Sequence, residues 1–269
     1  MKFFLILILL TSGSWAQDKL INGLPVGDKF PAVGTFNLGC TITKVGPKQF
    51  ISAAHCVGKN LPSLNLTFKV YRGTVKVNSF HVHPTWIKDC SQFNCTGKEV
   101  GSSRMTPGRS DVVFINVNEE TPDLPMISIH FDELELGTKV AMVGAGCTRS
   151  IEPGGSGKMR YAITQLIAPE NLTHEHSLYK EIFDVTGRSN WITSGFGKSN
   201  VHASLCPGDS GGPLLTEIDG EWKVVGIAAD YTFDGRYQDG APTITNLHTR
   251  LDDLSFNNIG KWIRSVREN

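Results

Sequence analysis

The densest group of chemically useful residues lies in the segment 206–213, which reads CPGDSGGP. Glycines permit a tight turn with positive φ angles, in which several backbone N–H groups can point at one spot. A Ser210 hydroxyl held in such a turn could attack a carbonyl carbon, while the N–H groups of Gly208 and Ser210 stabilise the oxyanion. A hydroxyl is a weak nucleophile until a base removes its proton, so the sequence must supply a base elsewhere.

Two other segments supply a candidate base and a group to orient it. His55 lies in the segment 52–56, SAAHC, and a neutral imidazole near pH 7 suits general-base catalysis. Asp111 stands at the head of an apolar stretch, where pairing with His55 would relieve the cost of burying a carboxylate. Each segment alone has a simpler interpretation as a turn, a packed histidine or a solvated acid. Together, in the order His, Asp, Ser, they predict a catalytic triad.

A mainly β fold must position these residues. Short β-branched or apolar stretches, such as 66–70 and 112–117, recur between Gly, Pro and Asn residues, which is typical of a β-sandwich or β-barrel. Near the end of the chain, apolar residues recur at i, i+3, i+4 and i+7 from Ile259, after Ser255 as a plausible cap. This spacing predicts one amphipathic helix over about 255–267.

Charge and the first residues restrict the class of function. The 26 Lys and Arg balance 26 Asp and Glu, which argues against nucleic acid or an anionic membrane as the main partner. A basic start, an apolar run over 3–10 and the small-x-small triplet at 14–16 indicate a signal peptide over 1–16. A membrane anchor would need about 20 apolar residues. We therefore expect a secreted protein whose cysteines form disulfides.

Taken in order, the motifs resemble those of trypsin/chymotrypsin-type serine proteases. The resemblance implies an all-β fold of two packed six-stranded antiparallel β-barrels, over about 30–120 and 121–250, with a C-terminal helix, in a peptidase domain over 20–269. It implies peptide hydrolysis through an acyl-enzyme, without a cofactor, in which Ser210 attacks, His55 is the base and Asp111 orients it. The matching segments are 20–23, 52–56, 111–115, 144–146, 208–213, 225–227 and 249–250.

The resemblance also implies activation by proteolysis. Lys19 precedes the sequence LING, so residues 17–19 would be a propeptide, and the new amino group of Leu20 would pair with Asp209. The pair would order the oxyanion-binding turn. The alternative is that removal of the signal peptide alone leaves an active enzyme. Expected partners are polypeptide substrates, an activating protease and protein inhibitors, and the chain is expected to be a monomer.

The six cysteines are expected to pair with one another. The first expected pair follows from the resemblance, the second is a small local loop, and the third departs from the family pattern because no cysteine follows Gly226. No metal site is expected, because the cysteines and histidines lack zinc-ligand spacing. The expected pairs are Cys40–Cys56, Cys90–Cys95 and Cys147–Cys206.

Substrate preference is predicted from the residues at the family's specificity pocket. Ser204, six positions before Ser210, takes the place of the pocket base, and its neutrality argues against selection for Arg or Lys. Ala229 and Tyr231 stand where the family has a run that lines the cleft, and the opposite wall passes near Asn246. These residues predict a preference for neutral, apolar side chains.

Two alternatives stay open. An acid other than residue 204, such as Asp230 or Asp234, could reach the pocket and give a preference for basic residues. The protein could also be a catalytically silent, protease-like binding protein.

Overall fold

The structure is a computed structural model that describes residues 20, 23–37, 39–57, 60–87, 110–146, 158–168, 189–194, 203–236 and 242–267. The expected signal peptide lies outside these residues, as do Lys19, Cys90, Cys95 and Cys147. Among the residues described, no helix has the length and apolar character needed to cross a membrane.

Thirteen strands, a short 3-10 helix at Ala54–Cys56 that carries His55, a helical turn over 84–87 and a C-terminal helix make up the regular structure of this part of the chain. The strands of the first half are β1 Leu24–Pro25, β2 Val33–Phe36, β3 Cys40–Gly46, β4 Gln49–Ser52, β5 Ser63–Thr67, β6 Arg72–Val82 and β7 Val113–Val117. The second half holds β8 Lys139–Gly144, β9 Arg160–Gln165, β10 Asn190–Ser194, β11 Pro213–Ile218, β12 Glu221–Arg236, β13 Pro242–Arg250 and the helix α1 Ile259–Arg267.

The first sheet is a closed six-stranded barrel in the order β2-β3-β4-β7-β6-β5. Neighbouring strands are antiparallel. Its interior is apolar and contains Phe36, Ile42, Phe50, Leu64 and Ile115, each at most 2 % exposed.

The second sheet has seven strands in the order β1-β9-β8-β11-β12-β13-β10. Its two ends approach each other through a single bridge between Leu166 and Thr193 and a 2.9 Å hydrogen bond from Ile167 N to Ile192 O. The second sheet, called the second barrel below, therefore differs from the expected six-stranded closed barrel: within the described part of the chain it has seven strands, and β9 and β10 meet only through this bridge and hydrogen bond instead of forming a ladder. The seventh strand, β1, is added at the outer edge of β9.

The two sheets share one apolar core because some strands are buried on both faces. In β4, Phe50 points into the first barrel, whereas Ile51 joins a cluster between the sheets. In β8, Met142 points into the second barrel and Val143 joins the same shared cluster. Successive residues of a strand point to opposite faces, which explains why these strands are unbroken apolar runs in the sequence.

Helix α1 begins at Ile259, four residues later than the spacing predicted. Residues 255–258 form a turn instead, in which Asn258 N donates to Ser255 O and Asn258 has a φ of 52°. The predicted capping residue is present, since Ser255 Oγ accepts a 2.9 Å hydrogen bond from Ile259 N. Ile259 and Ile263 pack on the shared core.

Candidate active site

His55 and Asp111 are brought together by the pairing of β4 with β7. Ser52 lies opposite Val113, so the residues that follow β4 and precede β7 meet at one end of the barrel. Asp111, 2 % exposed, accepts a 2.9 Å hydrogen bond from His55 N through Oδ1, and its Oδ2 lies 2.6 Å from His55 Nδ1. A carboxylate can only accept, so Nδ1 carries the hydrogen of the neutral ring and Nε2 is left as the basic atom.

The electrostatic surroundings of His55 favour its protonated form. Burial alone lowers the pKa of the ring, but the charge and hydrogen bond of Asp111 raise it, with a smaller contribution from the charge of Asp230. The net pKa lies above the usual 6.5. The imidazolium that a general base forms during catalysis is therefore stabilised at this position.

The glycine-rich turn 206–213, called the nucleophile turn after the role proposed for Ser210, contacts the first barrel through Thr41. Thr41 Oγ1 donates to Gly208 O at 2.9 Å, and Thr41 N donates to Ser210 O at 2.8 Å. The turn uses positive φ angles of 102° at Gly208 and 80° at Gly211. A Cβ atom on Gly211 would lie 2.1 Å from Ser52 Oγ, so the turn packs directly on the end of β4 that leads to His55.

The backbone amides of the turn differ in whether they donate to a protein acceptor. Asp209 N donates to Cys206 O at 3.0 Å. Within the described ranges, neither Gly208 N nor Ser210 N donates to a protein acceptor. In the same part of the chain, the Ser210 hydroxyl forms no hydrogen bond with the His55 ring. Catalytic hydrogen bonds are often long in unliganded enzymes and shorten when substrate binds.

A disulfide bond between Cys40 and Cys56 confirms the first expected pairing. It ties Thr41, which holds the nucleophile turn, to His55 through their immediate neighbours in sequence. The two sulfur atoms lie within 4.8 Å of a His55 ring nitrogen, but they are bonded to each other and are not thiolate ligands for a metal. Cys206 is also disulfide-bonded, with a partner outside the described residues. The pairs Cys147–Cys206 and Cys90–Cys95 stay predictions.

Asp209 is fully buried in a space left open by two glycines. A Cβ on Gly144 would lie 2.1 Å from Asp209 Oδ1, and a Cβ on Gly146 would lie 2.6 Å from its Cγ. Gly146 N and Cys206 N donate to the carboxylate at 2.7 and 3.0 Å. Burial raises the pKa of Asp209 to about 7, although these hydrogen bonds and the charge of Arg160 act in the opposite direction.

Leu20, the residue expected to follow the activation cleavage, is also fully buried. Its side chain joins the apolar cluster inside the second barrel, with Met142 and Leu205 among its members. Leu205 lies in the same segment as Cys206 and Asp209, so the expected activation residues share one region of the second barrel.

Three predicted pocket residues come together. Tyr231 of β12 lies directly opposite Asn246 of β13, so both side chains share one face of the sheet. Asn246 is fully buried, accepts a 2.8 Å hydrogen bond from Leu205 N and donates to Ala203 O at 3.2 Å. These two bonds flank Ser204, which is also fully buried.

The remaining predicted positions are the fourth pocket residue, Ala229, and the two alternative acids, Asp230 and Asp234. Ala229 is half-buried at a bulge, where the register with β13 shifts between Ala228 and Asp230. Asp230, which precedes Tyr231, acts on His55 through its charge. The side chain of Asp234 lies outside the described residues.

Sequence reasoning missed three residues near the site. Thr41 could have been suspected only because it follows a disulfide cysteine. Trp86, whose ring centroid lies 6.5 Å from that of His55, follows the His-Pro pair at 83–84. Arg160 lies in no recognisable motif. Its position near Asp209 depends on strand pairing, which the sequence does not reveal.

Comparisons with known proteins agree with this geometry. The family model described as Trypsin matches residues 27–252. The chain is similar to tissue-type plasminogen activator from Homo sapiens, with 25 % identity over 211 residues, 75 % of this chain and 34 % of the relative. The Bos taurus protein is 24 % identical over 234 residues, 81 % and 38 % of the two chains. The chain thus spans little more than a third of the length of these curated relatives.

The fold resembles that of human heparin binding protein. One solved structure of that protein has a TM-score of 0.61 and 17 % identity, covering 92 % of this chain and 96 % of the other. An atomic-resolution structure of HBP has a TM-score of 0.60 and 16 % identity over the same shares. At this identity the likeness concerns the fold alone. The family model covers most of the sequence, however, and the chain therefore belongs to the trypsin family of serine endopeptidases.

Proposed function

We propose that this chain is a secreted serine endopeptidase that cleaves peptide bonds with the triad Ser210, His55 and Asp111. The observation that carries the proposal is the 2.6 Å contact between His55 Nδ1 and the buried carboxylate of Asp111. This contact leaves Nε2 as the basic atom beside a glycine-rich turn that holds Ser210. On this proposal the partners are polypeptide substrates, an activating protease and protein inhibitors, and the chain acts as a monomer.

The proposed reaction proceeds in two balanced steps. His55 Nε2 takes the proton of Ser210 as the hydroxyl oxygen attacks the peptide carbonyl, and Gly208 N and Ser210 N stabilise the oxyanion. His55 then gives the proton to the leaving amine, which forms the acyl-enzyme and frees the first product. A water molecule, deprotonated by His55, then attacks the ester, and His55 returns that proton to Ser210 Oγ as the ester bond breaks, which releases the acid and restores the Ser210 hydroxyl. Asp111 stabilises the imidazolium in both steps.

Labelling with a fluorophosphonate tests this proposal, because the reagent phosphonylates an activated serine. The wild-type chain beginning at Leu20 should be labelled, and Ser210→Ala should not. Ser265→Ala, which removes an exposed hydroxyl on α1, should be labelled like the wild type. A folded wild-type chain that takes no label and cleaves no peptide would contradict the proposal and favour a silent binding protein.

We further propose that the chain is made as a zymogen cleaved after Lys19. Asp209 is fully buried, and its pKa of about 7 means that the local hydrogen bonds do not offset the cost of burying its charge. A new ammonium group on Leu20 would supply that offset and hold the turn. Sequencing of the amino terminus of active, secreted protein tests this step: a start at Leu20 is expected, and full activity from a start at Gln17 would contradict it.

The proposed specificity is for small, neutral side chains. Ser204 and Asn246 are uncharged, and the amide of Asn246 bridges to the backbone on both sides of Ser204. Tyr231 lies beside Asn246 and packs against the same apolar cluster as Ala203. On this proposal, Tyr231 and Asn246 limit the length of the substrate side chain that the pocket accepts.

Asn246→Gly should widen this pocket. The ratio of kcat/KM for a substrate with Phe before the scissile bond to one with Ala should rise about tenfold or more, because the amide no longer fills the pocket. Peptide substrates that differ only at this residue measure the ratio. Asn246→Asp has the same size and should leave the ratio of these two apolar substrates within about threefold. An unchanged ratio in a folded Asn246→Gly enzyme would contradict the assignment.

A further inference from the structure

The buried guanidinium of Arg160, in the second barrel, has donors that form no hydrogen bond with the residues described. Arg160 of β9 is 4 % exposed, and its Nε and Nη1 atoms have no hydrogen-bond partner within the described part of the chain. An arginine keeps its charge in proteins, and burying it without a partner is costly. Such a residue calls for an acidic group nearby.

Strand pairing places Arg160 on the side of the sheet that faces Asp209. Arg160 lies directly opposite Gly144 in the β8–β9 ladder, and residues in opposite positions share a face. A Cβ on Gly144 would lie 2.1 Å from Asp209 Oδ1. The side chain of Arg160 therefore leaves the sheet beside the place where the Asp209 carboxylate touches it.

The two charges act on each other without touching. The positive charge of Arg160 lowers the pKa of Asp209, against the larger opposite effect of burial. Within the described residues, Arg160 and Asp209 form no ion pair at 4.0 Å or less. The carboxylate instead receives direct hydrogen bonds from Gly146 N and Cys206 N. Arg160 thus supplies a positive charge near Asp209 whether or not the chain has been cleaved after Lys19.

We propose that Arg160 is a positioning residue that provides Asp209 with a built-in counter-charge, so that the nucleophile turn keeps its oxyanion-binding shape before cleavage after Lys19. The inference rests on the proposed function. In the intact chain, residue 20 contributes an amide nitrogen with no charge, so an ionised Asp209 needs another cation. Among the residues described, Gly208 N and Ser210 N have no protein acceptor, and the charge of Arg160 does not depend on cleavage. The uncleaved protein should therefore be partly active.

The test compares two forms of the protein, one uncleavable because of Lys19→Gln and one beginning at Leu20. Both are assayed with a peptide that has a small neutral residue before the scissile bond. We expect measurable kcat/KM from the uncleavable form. Adding Arg160→Gln should lower it by roughly 100-fold, because the buried cation beside Asp209 is lost. Adding Arg160→Lys, which keeps the charge, should restore it to within about tenfold.

The cleaved form is the matched control, since its Leu20 ammonium replaces the function of Arg160. There, Arg160→Gln should lower kcat/KM by less than about tenfold. Arg160→Met removes the charge but keeps an unbranched apolar chain, and it serves where Arg160→Gln does not fold. Equal losses in both forms, or an inactive uncleavable form beside an active cleaved one, would overturn the inference. A cleaved wild-type chain that neither turns over peptides nor takes a fluorophosphonate would instead overturn the proposed function.

Discussion

Asp111→Asn should lower kcat by about four orders of magnitude while leaving the fold intact. An asparagine can accept the hydrogen bond from His55 N through its oxygen, but it then presents an NH₂ group to His55 Nδ1. The ring must accept at Nδ1 and carry its hydrogen on Nε2, so the atom facing Ser210 is no longer a base. Initial rates on a peptide substrate and circular dichroism of the same sample measure the two parts of this expectation.

The pH profile gives the same variant a second readout. In the wild type, the acid limb of kcat/KM should lie above pH 6.5, because Asp111 raises the pKa of His55 more than burial lowers it. A base with a raised pKa stays protonated, and therefore inactive, to a higher pH. Asp111→Asn should move the limb to lower pH. Asp132→Asn, at an exposed acid, should change neither rate nor limb, and an effect as large as that of Asp111→Asn would contradict the assignment.

Gly211→Ala should destabilise the protein by about 4 kcal/mol or more. The new Cβ would lie 2.1 Å from Ser52 Oγ and 2.4 Å from Thr41 O, and the backbone there has a φ of 80°. The carbonyl oxygen belongs to β3, so it cannot move without disturbing the first barrel. The turn must shift instead, and activity should fall with stability. Unfolding in urea measures the change in free energy.

Gly220→Ala is the matched control for this substitution. Gly220 has nearly the same backbone angle, with a φ of 78°, but a Cβ atom on this residue would have no described atom within 4 Å. Only the strain of a side chain at positive φ remains, about 1–2 kcal/mol. Similar losses for the two variants would show that backbone angle, and not contact between the barrels, decides the cost at Gly211.

The sequence predicted strands best where both faces are buried. The stretch 112–117 is continuous and apolar, and β7 covers Val113–Val117. The stretch 66–70 was predicted as a strand, but β5 is Ser63–Thr67. The chain turns after Phe68, whose N–H donates to Tyr71 O at 2.7 Å. A local apolar pattern cannot distinguish a strand from a turn that buries one phenylalanine.

Some contacts of the site could be predicted from the sequence and others could not. The contact of His55 with Asp111 could be predicted, because burial of a carboxylate demands a partner. The pairing of Tyr231 with Asn246 could not, because it depends on the bulge between Ala228 and Asp230. A shift of one residue would turn each side chain to the other face. The position of Arg160 beside Asp209 depends on register in the same manner.

Thr41 gives the molecule a property that neither barrel has alone. Besides its bonds to Gly208 O and Ser210 O, its Oγ1 accepts a 3.3 Å hydrogen bond from Ala145 N, so one residue of the first barrel holds two loops of the second. The proposed base His55 and the proposed nucleophile Ser210 belong to different halves of the chain, so on the proposed mechanism they are aligned only while those halves are docked. We therefore expect mild destabilisation of the contacts made by Thr41 to abolish turnover before either sheet unfolds.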